Sequence, residues 1–115
     1  MRHLPKVLIV EDESSIAELI SVNLRHNGMT PIWAEDGESA QREIDAVLPD
    51  VILLDWMLPG QSGVTWARKW RNDPRTKSVP ILMLTGIIKG LKNLQCFNDL
   101  IPQRSISLHY RQLTV

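Results

Sequence analysis

The chain has 115 residues, 43% of them hydrophobic and 23% charged, and 13 Lys+Arg balance 13 Asp+Glu to a formal net charge of zero. That length holds one compact domain and little else, and the charge balance gives no overall field toward nucleic acid or an anionic membrane. No apolar stretch is long enough to span a bilayer, the amino terminus has too short an apolar run for a secretory leader, and a lone Cys96 excludes an internal disulfide and fits a reducing cytoplasm.

Lys6-Val7-Leu8-Ile9-Val10 reads as a first buried strand that ends on Glu11-Asp12-Glu13. Ser14-Ser15 can cap a helix, with Glu18 placed as in a capping box. Ile16, Leu19, Ile20 and Leu24 then share one face, and Asn27-Gly28 stops the helix. Thr30 to Ala34 predicts a short second strand. A second helix follows from about Glu38, with Ala40, Ile44, Val47 and Leu48 inward and Pro49 at its end. Val51-Ile52-Leu53-Leu54 is a third strand that finishes on a carboxylate, Asp55, before the turn formers Pro59-Gly60. A third helix begins after Gly63, carries Val64, Trp66, Ala67 and Trp70, and breaks at Asp73-Pro74. Trp66 and Trp70 are four apart and are expected to pack together. Val79 to Leu84 is a fourth strand, ending on Thr85-Gly86.

Alternation of this kind predicts an α/β domain with a doubly wound parallel sheet, helices lying on both of its faces. The core of that domain is expected to span residues 1–86. Residues 87–115 differ in character: they hold 4 Lys+Arg and 1 Asp+Glu, a net of +3, against 9 and 12, a net of −3, in residues 1–86. Helical spacing of Ile87, Leu91, Leu94, Phe97 and Ile101, then alternation around Ile106, Leu108 and Tyr110, suggests one helix and one strand of the same domain, with no residues left for a last covering helix.

Three strands thus end on oxygen-bearing side chains: Glu11-Asp12, Asp55 and Thr85. A charge at the end of a buried strand is costly unless something there needs it. Carboxylates gathered at the carboxyl edge of a parallel sheet, where open α/β folds place their chemistry, suit a hard cation such as Mg²⁺. Mg²⁺ beside a carboxylate and a hydroxyl is equipment for phosphoryl transfer. The plainer reading makes Glu11-Asp12-Glu13 the acidic first turn of a helix, favoured by its dipole, and Thr85 only a strand end.

The segments VLIVEDE, DVILLDWMLPGQSG and VPILMLTG resemble the receiver domain of two-component response regulators of the OmpR/PhoB type, with Pro59 four residues and Gly63 eight residues after Asp55. The resemblance covers residues 5–86. It implies a flavodoxin-like sheet, a cytoplasmic signalling module rather than an enzyme, and Asp55 as acceptor of a phosphoryl group from a sensor histidine kinase. It further implies Mg²⁺ held by Glu11, Asp12, Asp55 and the backbone carbonyl of Met57, and a Thr85 that hydrogen-bonds the phosphoryl group and reports its arrival. The charge balance and the lack of a long apolar run lead to the expectation of no membrane partner and no nucleic acid bound by this chain alone, and the resemblance admits a weak homodimer.

The tail departs from that pattern. The family's fifth-strand Lys and the aromatic residue upstream of it fall near Ser107 and Arg104, and no Lys-Pro occurs there. The expectation is a tail replaced through a shifted reading frame or a deletion, with impaired switching; the alternative is a divergent genuine tail. A receiver-like module that is never phosphorylated remains a rival reading. So does a haloacid-dehalogenase-type phosphatase, although its Asp-x-Asp is replaced here by Glu11-Asp12-Glu13. Dinucleotide binding is weaker still, since no G-x-G-x-x-G follows the first strand.

Overall fold

The computed structural model describes residues 4–84. Thr85, Cys96 and the helix and strand expected within 87–115 lie outside the described residues. In chain order the elements are β1 (Lys6–Val10), α1 (Ser14–His26), β2 (Thr30–Ala34), α2 (Gly37–Ala46), β3 (Val51–Asp55), α3 (Gly63–Asn72) and β4 (Ile81–Leu84). The four strands form one parallel sheet in the order β2-β1-β3-β4. The chain therefore starts in the middle of the sheet, winds outward to β2 and then crosses to the other side, as a doubly wound fold requires.

The two central strands explain why the apolar runs are unbroken. Successive side chains of a strand point to opposite faces, and both faces here are covered. Val7, Ile9, Val51 and Leu53 join Leu82 and Leu84 on the face that receives Ile16, Ile20 and Leu24 of α1. Leu8, Val10, Ile52 and Leu54 face the other way, onto Ala40 and Ile44 of α2 and Trp66, Ala67 and Trp70 of α3. Each fully buried aliphatic side chain of this kind contributes about 1.5–3 kcal/mol relative to exposure. Trp66 and Trp70 are both buried, with ring centroids 5.6 Å apart, as their spacing predicts. The Trp70 indole N–H donates to Gln41 Oε1 at 2.8 Å and so ties α3 to α2.

Three local expectations are corrected. The capping box at Ser15 and Glu18 does not form: α1 starts at Ser14, its N-cap is Glu13, and no side chain caps it. Both serines are therefore already inside the helix. Val47 and Leu48 do not continue the inward face of α2. The helix ends at Ala46 and Val47 is extended, with φ −146° and ψ 124°, so both side chains turn outward to 45% and 40% exposure. Pro49 disfavours helical backbone in the residue before it, which explains the early end. In β4 the strand begins at Ile81, although the Pro80 carbonyl already accepts from the Ile52 N–H at 2.9 Å. The other two helices are capped by side chains: Asp36 accepts from the Ser39 N–H and Ser62 from the Thr65 N–H.

Candidate functional site

Strands β1 and β3 are neighbours in register, Val10 opposite Leu54, so both deliver the residues that follow to the same carboxyl edge of the sheet. This topology brings together three of the acids singled out from sequence. Glu11, Asp12 and Asp55 each place a carboxylate oxygen within 4.8 Å of the others. Glu11 is 0% and Asp55 2% exposed, whereas Asp12 is exposed. They are not the acidic first turn of a helix: α1 carries no acid in its first turn, and Glu11 and Asp12 lie in the loop before it.

Local hydrogen bonds fix two of these carboxylates. Glu11 Oε2 accepts the backbone N–H of Glu13 at 3.0 Å, and Asp55 Oδ1 accepts that of Met57 at 3.0 Å. Each side chain thus folds forward over its own loop and holds the turn that leaves the strand. The Glu11 backbone is pinned twice from β2, its N–H donating to the Ala34 carbonyl at 3.0 Å and its carbonyl accepting the Trp33 indole N–H at 2.7 Å. On the β3 side, the Gly63 N–H donates to the Trp56 carbonyl at 2.9 Å, closing the loop from Asp55 to α3. Gly60 takes φ +78° within that loop, a left-handed conformation that glycine adopts without penalty. Trp56 and Met57, just after the acid, are 56% and 74% exposed.

The donor set is all oxygen, with no thiolate or imidazole. Three carboxylates this close repel one another. Such a set fits a hard divalent cation that takes one or more carboxylates and completes its shell with carbonyl and water oxygens, as Mg²⁺ does.

Two further residues shape this site: Gly63, which the sequence offered only as a spacing from Asp55, and Trp33, to which it gave no role. Gly63 lies so close to the acceptor loop that a Cβ added there would sit 2.1 Å from the Asp55 carbonyl oxygen. Trp33, the penultimate residue of β2, reaches the Glu11 carbonyl across 22 residues of sequence. Its only sequence signal was an aromatic residue just ahead of a polar turn.

Comparison with known proteins agrees with this geometry. The response regulator receiver domain family matches residues 7–97. The phosphate regulon transcriptional regulatory protein PhoB of Escherichia coli is 42% identical over 81 residues, covering 70% of this chain and 35% of that protein. Its counterpart in Pseudomonas aeruginosa is 47% identical over 80 residues, with 70% and 35% covered. The chain thus spans about a third of the length of the curated relatives it matches. Among solved structures, the N-terminal domain of a response regulator receiver protein from Methanoculleus marisnigri superposes with a TM-score of 0.69 at 34% identity, covering 72% of this chain and 68% of that one.

Proposed function

The chain belongs to the response regulator receiver domain family, and on that premise we propose that it takes a phosphoryl group on Asp55 from a sensor histidine kinase, with Mg²⁺ held at the acidic cluster. The observation that carries the reading is the convergence of Glu11, Asp12 and Asp55 within 4.8 Å at the carboxyl edge of the sheet. Glu11, Asp12, Asp55 and the Met57 carbonyl would hold Mg²⁺, which when bound supplies positive charge against the carboxylates and the incoming phosphoryl oxygens.

The chain's own residues do the rest. The Asp55 carboxylate attacks the phosphorus of a phosphohistidine. A P–O bond forms as the P–N bond breaks, and the departing imidazole takes up a proton. The Met57 N–H on Oδ1 holds the carboxylate plane fixed during the approach, which lowers the cost of reaching an aligned geometry. The Thr85 hydroxyl then donates to a phosphoryl oxygen. The added charge and acceptor oxygens are the signal. One group is taken per chain, so this is a signalling module and not a turnover enzyme, and no Lys-Pro in residues 87–115 stands where the family's switch lysine would. Impaired switching follows from that departure.

The test is incubation of the full chain with Mg²⁺ and a small phosphodonor such as acetyl phosphate, read by intact mass. A gain of one phosphoryl group that disappears in Asp55→Asn supports the reading. No gain in the wild-type chain identifies a receiver-like module that is not phosphorylated, and turnover of a generic phosphate ester, such as p-nitrophenyl phosphate, identifies a phosphatase.

A further inference from the structure

Trp33 is placed oddly for a core residue. It is 44% exposed on β2, the outermost strand on its side among the described residues, facing the groove that α1 lines with Ser15, Glu18 and Arg25, yet the one polar atom of its side chain makes a 2.7 Å hydrogen bond inward. The acceptor is the Glu11 carbonyl, which belongs to the peptide joining two of the three clustered acids. We propose that Trp33 is a positioning residue for the cation site: its indole N–H fixes the Glu11–Asp12 peptide and thereby sets where both carboxylates point.

The hydrogen bonds around Glu11 give the argument its shape. Its N–H is held by the Ala34 carbonyl, so the residue is anchored on the sheet side. Its carboxylate is held by the Glu13 N–H, so the loop ahead of α1 is drawn back over it. Rotation of the peptide plane between Glu11 and Asp12 is restrained by the indole. Asp12 is exposed and its side chain leaves the backbone directly after that peptide. Removing the indole N–H releases that plane, and with it the angle at which Asp12 meets the other two acids. Outer groups that orient ligands commonly carry a tenfold or larger share of metal affinity, and one acting through the backbone carries less.

The inference rests on the cation reading proposed above, and its test separates the two. Mg²⁺ affinity is measured by calorimetric titration of the full chain as wild type, Trp33→Phe, Trp33→Tyr and Asp12→Asn, with the metal-free melting temperature of each. Phe and Tyr keep an aromatic ring suited to an exposed strand position but lack the indole N–H. The expected result is a wild type that binds Mg²⁺, an Asp12→Asn that binds far more weakly, and a loss of about threefold to tenfold in both Trp33 variants, with metal-free melting close to wild type. A wild type and Trp33 variants of equal affinity overturn the positioning role while leaving the cation site intact. Variants that melt early but bind equally well give Trp33 a purely structural role and overturn it too. A wild type that shows no Mg²⁺ binding overturns both readings.

Discussion

Replacing Gly63 with Ala pits two effects of opposite sign against each other. Gly63 is the first residue of α3, and Ala favours helix over Gly by at most about 1 kcal/mol. The new methyl, however, would stand 2.1 Å from the Asp55 carbonyl oxygen and 3.0 Å from Trp56 Cα. Both are backbone atoms of a loop already fixed by the Gly63 N–H on the Trp56 carbonyl, so relief requires the end of β3 and the start of α3 to separate. Overpacking of this kind costs about 1–3 kcal/mol, and more where backbone must move. The clash should win. A net loss of about 1–2 kcal/mol corresponds to a melting temperature lower by roughly 4–12 °C in a domain of this size. Gly60→Ala is the matched comparison: nothing lies within 4 Å of its added methyl, and only its φ of +78° opposes the change. That variant should lose about 1–2 kcal/mol but leave the Asp55 carbonyl where it is. Thermal and urea unfolding of both, with and without excess Mg²⁺, reads the difference, since a ligand of the folded state alone raises the melting temperature. Gly63→Ala should lose most of the Mg²⁺-dependent rise and Gly60→Ala should keep most of it. A Gly63→Ala chain that melts at or above wild type, with its Mg²⁺ response unchanged, would refute the close approach on which the argument depends.

Trp70→Ala removes the largest fully buried side chain, its contact with Trp66 and its bond to Gln41, and should cost about 3–5 kcal/mol by urea unfolding. Ser62→Ala deletes the oxygen that caps α3 and should cost about 1 kcal/mol, with no effect on Mg²⁺ affinity. The Ser39 backbone N–H, assisted by its hydroxyl and by Arg42, holds the Asp36 carboxyl below its ordinary value. A lowered pKa contributes stability that is present above the ordinary carboxylate range and is lost as pH falls through the lowered value. Asp36→Ala should therefore destabilise the chain at neutral pH, and the gap to wild type should narrow in acid unfolding curves.

The strands were legible because β1 and β3 are buried on both faces, which demands unbroken apolar runs such as Val7–Val10 and Ile52–Leu54. Those runs in turn located Glu11 and Asp55 at strand ends, and parallel pairing of neighbours made their meeting foreseeable. Features set by backbone detail were not legible. The Ser15–Glu18 pattern fits a capping box equally well in a chain whose helix starts two residues earlier, with Glu13 at the N-cap and its N–H donating to Glu11. Val47 and Leu48 continue the apolar pattern of α2, but the backbone leaves the helix before them. Trp33 and Gly63 act through β2–β1 register and the approach of α3 to β3, distances that exist only once the sheet is assembled.

The most direct measurement of the central claim is the Mg²⁺-dependent rise in melting temperature of the wild-type chain beside Glu11→Gln, Asp12→Asn and Asp55→Asn taken singly. If the three carboxylates act as one cation site, the wild type shows a saturable rise and each substitution reduces it sharply. A wild type that Mg²⁺ leaves unmoved, or single variants that all retain the full rise, would contradict the account.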